Sequence, residues 1–83
     1  MSKKDKLLVR LFAKPRDFEW GELRTLLTGL GYTEISGTGS RVKFHNIKLN
    51  SLIIVHKPHP GNIIKMYLID QIIEELVNKG INP

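Results

Sequence analysis

Three histidines, His45, His56 and His59, share the stretch from Ile35 to Ile69 with Arg41, Lys43, Lys48, Lys57 and Lys65, and that stretch contains no aspartate or glutamate. The grouping has a definite chemical use. Imidazole titrates near neutral pH and can take or give a proton, while Lys and Arg can hold a phosphate and stabilise the charge that develops on it. RNA cleavage by attack of the ribose 2′-hydroxyl on its own phosphate asks little more of a protein, because the nucleophile comes with the substrate. An acid-free cationic segment also raises the local concentration of a polyanion, which makes nucleic acid the first candidate partner. A solvated lysine-rich surface is the competing explanation of the same charges.

Other chemistries find less support. The chain has no cysteine, which removes thiolate metal sites, cysteine nucleophiles and disulfides together. His56 and His59 are neighboured by cations and have no nearby acid to orient an imidazole, so no metal is expected. Ser40 has no evident histidine and acid pair around it, and Gly37-Thr38-Gly39-Ser40-Arg41 lacks the lysine and spacing of a phosphate loop.

The elements that must position these groups belong to one small domain of 83 residues with net charge +5 and 41% apolar residues. With no long apolar segment and no cysteine, the expected setting is soluble, unprocessed and cytoplasmic. Leu7, Leu8, Leu11 and Phe12 form one stripe of a basic N-terminal helix over 3–13, ended by Pro15. Trp20, Leu23, Leu26, Leu27 and Leu30 give a second helix over 20–30, with Gly31 as its stop. A short strand over 32–36 and a Gly37–Ser40 turn follow. Residues 41–45 then alternate strictly, so Arg41, Lys43 and His45 project from one side of a sheet while Val42 and Phe44 point to the core.

Residues 46–50 read as a polar connection, and Leu52–Val55 as a third strand apolar on both faces. His56 to Asn62 form a fixed loop, since its two prolines remove donors and restrict the residues before them. A last helix over 65–79 carries Ile69, Ile72, Ile73, Leu76 and Val77 as its stripe and ends at Gly80. The resulting fold is α+β: a three-stranded antiparallel sheet with helices on one face and an N-terminal helix besides. Its other face stays open, bearing Arg41, Lys43 and His45 beside the two-histidine loop. Trp20 and Phe44 are assigned to the core, and Tyr32 and Tyr67 receive no role.

Phe18 to Leu30, the Gly39-Ser40-x-x-x-Phe44 element, the His59-Pro60-Gly61 element and the closing helix through Gly80-Ile81 together resemble the HicA toxins of bacterial type II toxin-antitoxin systems. The resemblance covers roughly 18–81 of a single domain spanning 1–83, leaving 1–16 as the basic N-terminal helix. It implies a fold like double-stranded RNA-binding domains, a metal-independent ribonuclease acting on mRNA without a cofactor, and neutralisation by a HicB-like antitoxin. The family histidine that directly follows the Gly-Ser, here Gly39-Ser40, is replaced by Arg41, whereas the histidine of the loop before the last helix is matched by His59. A guanidinium stays protonated and cannot transfer the proton. His56 and His45 are imidazoles that could supply it instead: either the chemistry has moved to His56 or His59 as catalytic residues, with Arg41, Lys43, His45, Lys57 and Lys65 contacting RNA, or the chain binds RNA or a partner without cutting. A purely protein-interaction domain is the third reading, suggested by the second apolar face of the 52–55 strand.

Overall fold

The computed structural model describes residues 2–83, in which three helices and three strands follow one another as α1 (Lys3–Phe12), α2 (Trp20–Gly29), β1 (Thr33–Ser36), β2 (Arg41–Asn46), β3 (Ser51–His56) and α3 (Met66–Asn78). The strands pair antiparallel in the order β1-β2-β3. All six expected elements are present, with ends differing by one residue, as helix ends fray.

Local signals account for the boundaries. Ser2 caps α1, its hydroxyl accepting from the Asp5 N–H at 3.2 Å. At the start of α2 the Glu22 carboxylate accepts from the Glu19 N–H at 2.9 Å. Helix α2 closes with paired bonds, Gly31 N–H to the Thr28 carbonyl and Tyr32 N–H to the Leu27 carbonyl, and α3 repeats them from Gly80 to Val77 and from Ile81 to Leu76. Gly31 holds φ of 100° at the first of these closures, a backbone state that strains any residue with a Cβ. Lys14 takes the same left-handed place after α1, and Pro15, having no N–H, allows only the single bond from Lys14 to Leu11.

One hydrophobic cluster unites the three helices with β2 and β3. Leu7, Leu8 and Leu11 of α1, Trp20, Leu23, Leu26 and Leu27 of α2, Val42 and Phe44 of β2, Ile53 and Val55 of β3, and Leu68, Ile69, Ile72 and Leu76 of α3 are all buried in it. The N-terminal helix is thus part of the same core as the rest. It runs antiparallel to α2, since Lys4 lies against Gly29 near one end while Arg10 reaches Glu22 near the other, and just past it Lys14 pairs with Asp70 of α3. The rings of Trp20 and Phe44 meet tilted, centroids 6.0 Å apart, and join α2 to the sheet.

The face that α3 buries is rotated from the expected stripe. Leu68 is buried, Ile73 only half-buried, and Val77 exposed. Helix α3 packs on both β3 and α1, so its buried side is set by two neighbours rather than by the centre of its apolar arc. The core also contains polar groups. Ser51 Oγ donates to Glu75 Oε2 at 2.6 Å and lies 2.7 Å from the Tyr32 hydroxyl. Since Ser51 has one proton and gives it to Glu75, Tyr32 is the donor to Ser51. Burial pushes the Tyr32 phenol above its usual range.

Candidate functional site

Cross-strand register places three rows on the uncovered side of the sheet: Thr33, His45 and Leu52; Ile35, Lys43 and Ile54; and Arg41 with His56. Period two in β2 and β3 sends Val42, Phe44, Ile53 and Val55 to the helices, which leaves the alternate residues at the surface. Arg41, Lys43 and His45 therefore share one face, as the alternation predicts. Ile35, Leu52 and Ile54 stand exposed around Lys43, so this face is cationic and partly apolar.

Beyond the Arg41–His56 row, the Lys57 N–H continues the ladder by bonding the Ser40 carbonyl at 2.8 Å. The chain then crosses Pro58, His59, Pro60 and Gly61 and is fastened again, by the Trp20 N–H to the Asn62 carbonyl at 2.7 Å and the Ile64 N–H to the Phe18 carbonyl at 2.8 Å. Ile64 is buried below it. The histidine loop is thus tied at both ends to the start of α2 and to the β1–β2 turn, and its middle faces solvent. Ser40, His56, Lys57, Pro58, His59, Lys65 and Tyr67 line a cleft of about 380 Å³. Gly39, with φ of 67°, forms the bend that presents Ser40.

The charge balance around this cleft follows from where the acids are engaged. Asp17 and Glu22 pair with Arg10, Glu34 with Arg24, and Asp70 with Lys14, at 2.8 to 3.1 Å. Glu75 is held by Ser51. Hydrogen bonding to the Arg10 guanidinium holds the Glu22 carboxyl below its usual range, and Glu22 in turn pushes Arg10 up. Among the described residues, none of Arg41, Lys43, Lys48, Lys57 and Lys65 has a carboxylate within ion-pair distance. Among the described residues, the cations of the middle segment therefore have no ion-pair partner.

Of the residues singled out from the sequence, the fold gathers Ser40, His56, Lys57, His59 and Lys65 at one cleft, with Arg41 bordering it as the strand partner of His56. His45 stands apart. Four residues along β2 place it about 13 Å from Arg41, where it lines a separate groove with Lys4, Lys48 and Ile47. Lys43 lies between the two ends. Tyr67 enters the cleft wall from the first turn of α3. Asn46 is buried, its Nδ2 donating to the Leu30 carbonyl and its Oδ1 accepting from the Leu49 N–H, each at 3.2 Å. It pins the β2–β3 turn to the end of α2 and so fixes the register that opposes Arg41 and His56. Among the described residues, no three His, Asp or Glu side chains gather closely enough to hold a metal ion.

The family model for the HicA toxin of bacterial toxin-antitoxin systems matches residues 20–76, from the first residue of α2 into the last turns of α3. The chain belongs to the HicA toxin family. No curated protein and no solved structure matches it. The HicA match spans the whole sheet, all of α2, α3 up to its last two residues and every residue of the cleft, and membership implies an antitoxin partner. Helix α1 lies outside the matched residues, although its leucines share the core. No helix among the described residues is long and apolar enough to cross a membrane.

Proposed function

We propose that this HicA chain is a metal-independent endoribonuclease that cuts mRNA in the cytoplasm, with its chemistry in the cleft of His56 and His59. The observation that carries the reading is the meeting of two exposed imidazoles with Lys57 and Lys65, beside Arg41, in a place without a carboxylate. The reaction is a transesterification. One imidazole takes the proton of the ribose 2′-hydroxyl as its oxygen bonds to phosphorus. The other gives a proton to the departing 5′-oxygen as the P–O bond breaks, leaving a cyclic phosphate and a free 5′-hydroxyl. Arg41, Lys57 and Lys65 hold the phosphate oxygens and oppose the charge that grows on them. Lys43 and His45 contact the chain further along the open face, about one to two nucleotides away at the spacing of strand residues. Ser40 and Gly39 shape the turn that closes the cleft.

Arg41 also favours a second reading, in which the fold and RNA affinity persist without cleavage. Induced expression of the chain alone in a bacterium, beside the His59→Ala variant, separates the two. Growth arrest by the parent chain and not by the variant supports the nuclease; no arrest by either supports the binding module.

The exposed aliphatics around Lys43 suit a different ligand. A HicB-like antitoxin, apolar where it meets Ile35, Leu52 and Ile54 and acidic opposite Lys43 and Arg41, would cover the open face and block the cleft at once.

A further inference from the structure

The chain has six aromatic side chains, and five of them are explained by the core. Phe18, Trp20, Tyr32 and Phe44 are buried and Phe12 is half-buried against the cluster. Tyr67 is 55% exposed, the one exposed aromatic among the described residues. Helix packing does not account for it: α3 buries Leu68, Ile69, Ile72 and Leu76, while the helical neighbours of Tyr67 at three and four residues on are Asp70 and Gln71, both exposed. It lines instead the cleft that Ser40, His59 and Lys65 also line.

From this placement we infer that Tyr67 is a stacking platform for an unpaired nucleobase of the RNA whose phosphate occupies the histidine cleft, an inference that rests on the reading of this chain as RNA-binding. Three features support it. A volume of about 380 Å³ lies within the ~300–1,000 Å³ of ordinary ligand pockets. The site joins a flat aromatic face to cations without carboxylate partners, the pairing by which proteins hold single strands. And a base held against Tyr67 would have its flanking phosphate near Lys57, Lys65 and the imidazoles, which share the cleft wall with it. Stacking needs a base that has left its partner, so the substrate is single-stranded RNA rather than duplex. It tolerates any base, so Tyr67 sets strandedness more than sequence.

The test measures equilibrium binding of a short single-stranded RNA made uncleavable by 2′-O-methyl groups, beside the same strand with single abasic positions. Tyr67→Ala is expected to weaken binding roughly 5- to 150-fold, the range that follows from loss of one base–aromatic contact. Tyr67→Phe should keep it. One abasic position should weaken binding to the parent chain while costing Tyr67→Ala little more. Because Tyr67 is exposed, both variants should unfold with the parent's midpoint. Equal affinity of the parent chain and Tyr67→Ala for the intact strand overturns the stacking role alone, as does a Tyr67→Ala that loses antitoxin binding and keeps RNA affinity. No affinity of the parent chain for the strand overturns the RNA-binding reading beneath it.

Discussion

Arg41 and His56 oppose each other across β2 and β3 on the uncovered face of the sheet, so a guanidinium that cannot move a proton lies beside an imidazole that can. Directly opposed side chains have Cβ atoms about 4.5–5.5 Å apart, close enough to contact one phosphodiester from two sides. If Arg41 holds that phosphate, Arg41→Ala weakens RNA binding and lowers the slope of log affinity against log salt by about 0.7, the share of one phosphate on a single strand. Arg41→Lys keeps most of the slope. A titration in which Arg41→Ala shows the parent's slope would detach this residue from the substrate.

The open face makes a different prediction from the covered one. Phe44 is fully buried, and Phe44→Ala should cost about 3–5 kcal/mol of folding stability. Ile54→Ala, two strand positions from His56 and 40% exposed, should change the denaturation midpoint little and weaken capture of the antitoxin. Lys43→Glu should do the same through charge. Calorimetric titration of each variant with the antitoxin, alongside urea unfolding, reads both quantities, and antitoxin affinity unmoved by Ile54→Ala and Lys43→Glu would place the partner elsewhere.

Tyr32, Ser51 and Glu75 form a directional chain, so its members should not be equivalent. Tyr32→Phe removes one donor and leaves Ser51 bonded to Glu75, costing about 0.5–1.5 kcal/mol. Ser51→Ala strands the Tyr32 hydroxyl without an acceptor and takes the donor from Glu75, and should cost about 1–3 kcal/mol or more. Urea unfolding at neutral pH orders the two. Because burial raises the Tyr32 phenol in the folded state, its contribution is present below the ordinary tyrosine range near pH ~10 and is lost as pH rises from there through the raised folded value. Tyr32→Phe should therefore lose less stability than the parent on going to alkaline pH.

Glu22 gives the opposite sign. Its carboxyl is held low by Arg10 in the folded state, so the pair stabilises above the ordinary carboxylate range near pH ~4.3 and the contribution disappears as pH falls through the folded value. The gap in unfolding midpoint between Glu22→Gln and the parent chain should be open at pH ~6 and close in acid. A gap independent of pH would mean that the variant acts through packing.

Much of this was legible in the sequence because it depends on period and composition. Alternation in 41–45 put Arg41, Lys43 and His45 on one face, and two apolar neighbours on that face, Leu52 and Ile54, follow from a third strand apolar on both sides. The acid-free middle foretold cations without ion-pair partners. The remainder depends on contacts far apart in the chain. Nothing in the Asn46 or Ser51 position announces that one locks the end of α2 and the other links Tyr32 to Glu75. Arg10 lies off the apolar stripe of α1, yet it crosses to Asp17 and Glu22 and lies 5.6 Å over the Phe18 ring. Tyr67 could have drawn notice as an aromatic outside the stripe of α3, but only the folded loop shows which cleft it borders.

The central claim is that His56 and His59 move the protons of RNA cleavage, and a single-turnover cleavage rate on single-stranded RNA in EDTA tests it most directly. The parent chain should cut, a strand carrying deoxyribose at the cleaved position should resist, and His56→Ala and His59→Ala should each be slower by at least about a hundredfold, the usual contribution of a general acid or base. Cleavage by both variants at the parent's rate would contradict the account and move the active site out of this cleft.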